Sequence, residues 1–171
     1  MRVYLDTNVL SRVTDLRLTA EDARALRLIG DAPNVSLVAS SETRRELAKT
    51  PDAIRNQVLM FLCSLFSKVP DRIGEVSGCL GSAPLGRTPL GGGWVDPSLR
   101  GLRAIFDPDD AQHIFVAAKS GCEFFMTFDQ KTILSRVRAD PRRVEALCKG
   151  MRLVSPSELL SILEGPGLRG Q

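Results

Sequence analysis

The chain has 171 residues, 43% hydrophobic and 25% charged, with a formal net charge of +3, the profile of one ordinary globular domain with a proper core. Its four cysteines (Cys63, Cys79, Cys122, Cys148) are scattered and form no C-x-x-C pair, which excludes the usual zinc motifs; no apolar run is long enough to span a membrane. Arg2 and Asp6 interrupt the short apolar start, so no signal peptide is expected, and the setting implied is a reduced cytoplasm with free thiols. The mild positive charge permits a nucleic-acid partner without demanding one.

Arg2 to Leu5 reads as a short buried strand, rich in β-branched and aromatic residues. Asp6 follows at its tip, where a carboxylate is costly unless something pairs with it. It can cap a following helix or form a turn with Thr7 and Asn8. It can also be a metal ligand or nucleophile, since α/β sheets bind ligands outside the carboxyl ends of their strands. Thr19 caps a helix whose first turn holds Glu21 and Asp22 and which Gly30 is expected to stop. Asn34 to Ala39 is a second strand, and Ser40 or Ser41 caps a helix running through Lys49. A further helix is expected from about Asp52 to Ser67, with Ile54, Val58, Leu59, Leu62 and Phe66 on one face.

Residues 74–101 hold eight glycines and three prolines, a density that predicts an extended loop inserted into the domain. Trp94 either pins that loop to the body or offers a ring on which a base stacks. Regular structure resumes at Asp107, an N-cap followed by Pro108 at the first helical position, and Gly121 ends that helix. Glu123 to Thr127 and Arg152 to Val154 are strands. Ser155 and Glu158 form a capping box for a last helix, and the tail 165–171 is expected to be flexible. Strands separated by helices predict an α/β fold: a three-layer α/β/α domain over residues 1–164, with a mostly parallel central sheet and helices on both faces.

In such a sheet four acids converge on one edge: Asp6 after the first strand, Glu46 in the helix after the second, Asp110 in the first turn of the helix after the loop, and Asp129 after the strand ending in Met126-Thr127. Each has an ordinary explanation of its own. Asp109 and Asp110 complement a helix dipole, Glu46 pairs with Arg45 or Lys49, and Asp129 forms a turn. Together they are harder to explain, because gathered carboxylates repel one another unless a cation neutralises them. Hard oxygen donors without a His or Cys cluster point to Mg²⁺ or Mn²⁺.

Asp6-Thr7-Asn8, Ser40 with Glu46 six places on, Asp110-Ala111-Gln112-His113 and Thr127-Phe128-Asp129 together resemble the motifs of PIN-domain ribonucleases, a group that includes the VapC toxins of toxin–antitoxin pairs. The resemblance covers residues 1 to about 160 and treats 74–101 as an insertion. It implies a PIN-like fold and an acidic metal site of Asp6, Glu46, Asp110 and Asp129, supported through hydrogen bonds by Asn8 and Thr127. It also implies hydrolysis of RNA to 5′-phosphate and 3′-hydroxyl ends. Further implications are a cognate antitoxin protein occupying the acidic groove and compatibility with a homodimer. Glu42 competes with Glu46 and Asp109 with Asp110; the Ser40 spacing favours Glu46 and the D-A-x-H pattern favours Asp110. His113, the only histidine, reads as a packing or hydrogen-bonding residue.

Residues 131–152 hold seven basic side chains, among them Lys131, Arg136, Arg138, Arg142 and Arg143, against two acidic ones, a local net charge of +5. They suit phosphate contacts as well as a solvated helical face. Two other functions compete. An aspartyl phosphatase would use Asp6 as nucleophile but usually wants a second Asp where this chain has Asn8, and a PIN-like scaffold would bind RNA or protein without cutting.

Overall fold

The computed structural model describes residues 1–68, 75–76 and 94–165; most of the Gly/Pro-rich insertion, the side chain of Trp94 and the tail 166–171 lie outside the described residues. In chain order the elements are β1 (Arg2–Leu5), α1 (Thr7–Thr14), α2 (Ala20–Asp31), β2 (Ser36–Ala39), α3 (Ser41–Ala48), α4 (Ala53–Ser64), β3 (Ser67–Lys68), β4 (Glu75–Val76), β5 (Trp94–Val95), α5 (Pro97–Arg103) and α6 (Pro108–Lys119). There follow β6 (Phe124–Met126), a π-helical turn (Gln130–Leu134), α7 (Ser135–Ala139), α8 (Pro141–Leu147), β7 (Arg152–Val154) and α9 (Pro156–Glu164).

Five strands form one sheet in the order β3-β2-β1-β6-β7, and every pair is parallel. Register brings Tyr4 opposite Val38 on one side and Phe125 on the other, with Phe125 opposite Leu153. Because strand side chains alternate, those four residues share one face. They pack with Leu99 and Leu102 of α5, Ile114 and Phe115 of α6, Ile133 of the π-helical turn and Val144 of α8. Val3, Leu5, Ala39, Phe124, Met126 and Val154 point the other way. They meet Val9 and Leu10 of α1, Ile29 of α2, Leu47 of α3, Leu59 of α4 and Leu159 of α9. Both faces are covered, which is why the strands read as continuous apolar runs and why the fold is a three-layer α/β/α domain. The central strand β1 therefore carries Asp6 out of the middle of the sheet.

Several local expectations match. Thr19 and Ser40 cap α2 and α3 by accepting from Asp22 N–H and Thr43 N–H, and Ser155 with Glu158 forms the full capping box of α9. Gly121 has φ +69° just past α6, a left-handed turn that glycine adopts without strain. Others need correction. Gly30 lies inside α2, which instead ends where Ala32, extended at ψ 118°, precedes Pro33; the residue before proline is pushed out of helical geometry. Helix α4 stops at Ser64, and Ile54 and Val58 on its expected inner face are exposed, Leu59 and Cys63 being the buried pair.

The loop expectation for 74–101 also needs revision at its C-terminal end. β5 pairs antiparallel with β4, and α5 starts at Pro97 with Asp96 as N-cap accepting from Ser98 N–H at 2.8 Å. Leu99 and Leu102 are fully buried, which anchors α5 to the core. Gly101 belongs to this packing: a Cβ there would lie 2.6 Å from Leu147 Cδ2, so the glycine lets α5 and α8 approach closely. Among the described residues Cys63, Cys122 and Cys148 are buried, and no helix is long and apolar enough to cross a membrane.

Candidate functional site

The carboxyl ends of β1 and β6 lie side by side, and the chain leaves each through a polar segment. Asp6 occupies the N-cap position of α1, yet its side chain makes no capping bond. Its Oδ2 instead accepts from Asn8 Nδ2 at 2.7 Å and from Thr127 Oγ1 at 2.6 Å. Asn8 Nδ2 also donates to Thr127 Oγ1 at 2.8 Å, and Asn8 Oδ1 accepts from Phe128 N–H at 3.0 Å. One short amide side chain thus ties the end of β1 to the end of β6. Asp6 is 7% exposed, and burial raises its pKa above the ordinary value, with Thr127 and His113 opposing and Glu46 adding to the rise.

Asp129 stands at the N-cap of the π-helical turn. Its Oδ1 accepts from the N–H groups of Lys131 (3.0 Å) and Thr132 (2.7 Å), and its Oδ2 from the Thr132 hydroxyl. Burial works against its ionisation, but the Thr132 hydroxyl and the backbone donors outweigh it and hold the pKa below normal. The turn reading of Asp129 is therefore part of its role. Asp110, in the first turn of α6, is partly buried, and its pKa is pushed up to about 6 by burial, then by the charges of Asp6, Asp129 and Asp107, with His113 pulling the other way. Hydrogen bonds do not figure among these causes. The neighbouring Asp109 is exposed.

Glu46 enters from α3. Its Oε2 accepts from the Thr7 hydroxyl and its Oε1 lies 3.0 Å from His113 Nε2. Burial opposes its charge, yet His113, Thr7 and Lys49 together hold its pKa below normal. The side chain of its sequence rival Glu42 lies outside the described residues. His113 itself is buried, with Nδ1 2.7 Å from the Tyr4 hydroxyl, which also meets Ser40 Oγ at 2.6 Å and Thr43 Oγ1 at 3.1 Å.

Chemically, the four acids offer only hard oxygens, and Asp110 carries repulsion from Asp6, Asp129 and Asp107 that a cation would relieve, so the donor set suits Mg²⁺ or Mn²⁺. Among the described residues, no three His, Cys, Asp or Glu side chains stand close enough together to form a finished cation cage. Comparison of the chain with protein-family models, curated proteins and solved structures finds no match.

The basic stretch is divided. Arg136 donates to Ile105 O at 2.9 Å and pairs with Asp107, Arg138 pairs with Glu158, and Arg152 lies over the Phe124 ring. Lys131, Arg142, Arg143 and Lys149 are exposed, and Lys131 is two residues from Asp129. Sequence reasoning gave no bounds to the helix that Asp6 precedes or to the turn and helices between Gln130 and Leu147, and it missed the parts played by Thr7, Tyr4 and Thr43. A hydroxyl directly after Asp6, and a tyrosine among apolar strand residues, were the available signals.

Proposed function

We propose that this chain is a metal-dependent ribonuclease of PIN-like type. The observation that carries the reading is that Asp6 and Asp129, which follow the adjacent parallel strands β1 and β6, lie near enough to Asp110 in the first turn of α6 for their charges to add to the rise of its pKa. Structural roles alone account poorly for Asp6, which leaves its helix uncapped and is clamped by Asn8 and Thr127. Asp6, Asp110, Asp129 and Glu46 would hold one or two Mg²⁺ or Mn²⁺ ions. A bound ion supplies an acidified water and neutralises charge on the transferring phosphoryl group.

The residues of the chain do the rest. Asn8 and Thr127 keep the Asp6 carboxylate aimed in one direction, and Thr132 does the same for Asp129. Asp110, with a pKa near 6, can take up a proton near neutral pH in the ion-free protein. Lys131, Arg142 and Arg143 supply phosphate contacts from the exposed side. This reading makes RNA the substrate. It carries with it an inhibitory antitoxin-like protein, self-association as a homodimer and a cytoplasmic setting.

A second reading, a PIN-like scaffold that binds without cutting, draws on one observation: both Glu46 oxygens are engaged by protein donors and no finished cation cage is present among the described residues. A generic RNA incubated with Mn²⁺ or Mg²⁺ separates the two. Wild type should cleave, Asp6→Asn should lose most of the activity while keeping its fold, and EDTA should abolish it. Cleavage unchanged by Asp6→Asn, or undiminished in EDTA, ends the nuclease reading.

A further inference from the structure

Glu46 comes from α3, on the face of the sheet opposite α6, yet it is joined to α6 by a row of buried polar groups. Tyr4, Ser40, Thr43 and His113 are each 4% exposed or less. Four buried polar side chains in an otherwise apolar interior are costly unless every donor finds an acceptor. Glu46 is ionised and has no proton to give, so His113 Nε2 carries the hydrogen in their 3.0 Å contact. Nδ1 of the same ring lies 2.7 Å from the Tyr4 hydroxyl, so the two are hydrogen-bonded. Ser40 and Thr43 both have hydroxyls within reach of the Tyr4 oxygen, and Ser40 Oγ also accepts from Thr43 N–H. The row thus runs unbroken from Ser40 and Thr43 through Tyr4 and His113 to Glu46, while Thr7 donates to the second Glu46 oxygen.

We propose that His113 is a positioning residue: through Nε2 it fixes the Glu46 carboxylate, and the Tyr4 hydroxyl fixes the ring that does so. The packing supports a built device. Tyr4 is stacked on Phe125 with centroids 5.3 Å apart and meets the His113 ring edge-on at 6.0 Å, so neither ring is free to turn. The role of Glu46 itself rests on the nuclease reading; its orientation by His113 does not.

His113 is the sole histidine, so in tag-free, ¹⁵N-labelled, ion-free protein its Nε2 proton gives one downfield imidazole resonance. That resonance should be sharp in wild type and lost to solvent exchange in Glu46→Ala; an identical signal in both proteins overturns the proposal. The second measurement compares His113→Gln, whose amide N–H reaches the place of Nε2, with His113→Asn, which reaches only that of Nδ1. Both remove the same ring, so a merely structural role moves them together. Mn²⁺ affinity and kcat/KM on RNA should stay within about twofold of wild type in His113→Gln and fall by about tenfold or more in His113→Asn, the usual scale for groups that orient a ligand. Equal behaviour of the two variants overturns the proposal. A wild-type chain that neither binds Mn²⁺ nor cuts RNA ends the nuclease reading, and the imidazole resonance then decides the positioning alone.

Discussion

Replacing Asp110 by Asn should make the ion-free protein more stable at pH 8 and leave it unchanged at pH 4. The folded protein holds a proton on Asp110 up to about pH 6, whereas the ordinary value is 3.8. Folding therefore takes up a proton between those values, and stability present below pH 4 is lost as the pH rises toward 6, then stays level. At about 1.4 kcal/mol per pH unit the full rise corresponds to about 3 kcal/mol, and halving it for solvent screening at this partly exposed side chain leaves about 1.5 kcal/mol. In Asp110→Asn that penalty is absent, so urea denaturation in EDTA at pH 8 should show a gain of about 1–2 kcal/mol, or about 3–6 °C in Tm. Asp6, Asp129 and Asp107 supply the repulsion and His113 opposes it, so Asp6→Asn should reduce the gain. Saturating Mn²⁺ should reverse the order, because wild type then gains binding energy that the amide cannot match. No gain at pH 8, or the same gain at pH 4, would refute the reasoning.

Tyr4→Phe should destabilise the protein by about 1–3 kcal/mol in urea titrations, because Ser40, Thr43 and His113 lose their shared hydroxyl in a buried setting; a neutral result would mean that water takes its place. Leu99→Ala should cost about 2–5 kcal/mol, since the side chain is fully buried between α5 and the sheet, and a loss below 1 kcal/mol would show that α5 is not anchored as described. Ser155→Ala removes one half of the α9 capping box and should cost about 0.5–2 kcal/mol, with Glu158→Ala adding less than its own single effect in the double variant.

The layered fold was readable because the strands bury both faces. Val3 to Leu5 and Phe124 to Met126 have no polar alternation, which marks a parallel sheet between helices. Capping chemistry at Thr19, Ser40 and Ser155 was equally local and so equally legible. Gly30 misled because glycine ends a helix only where the chain turns left-handed, and there Pro33 ended it instead. In α4, apolar residues on two sides left the inner face ambiguous. Helix α1 was legible only as a capping possibility at Asp6, because Thr7–Thr14 is only eight residues long and follows its strand with no linker. Asp6, Asp110 and Asp129 stood out by type and position, but the Tyr4–His113–Glu46 row did not. It joins β1, α6 and α3 across the thickness of the domain, and such a row has no spacing in sequence.

The Asp6–Thr127 bond closes a loop of 121 residues, and β1 can join β6 only when that loop closes. Chain entropy makes so distant a pairing slow relative to the helices and the β1–β2 pair. A chain made from its N-terminus therefore carries Asp6, Asn8 and Glu46 for most of its synthesis with no Thr127 or Asp129 to meet them. During that time the acidic centre does not exist, and whatever chemistry it performs begins only once nearly the whole domain has been made.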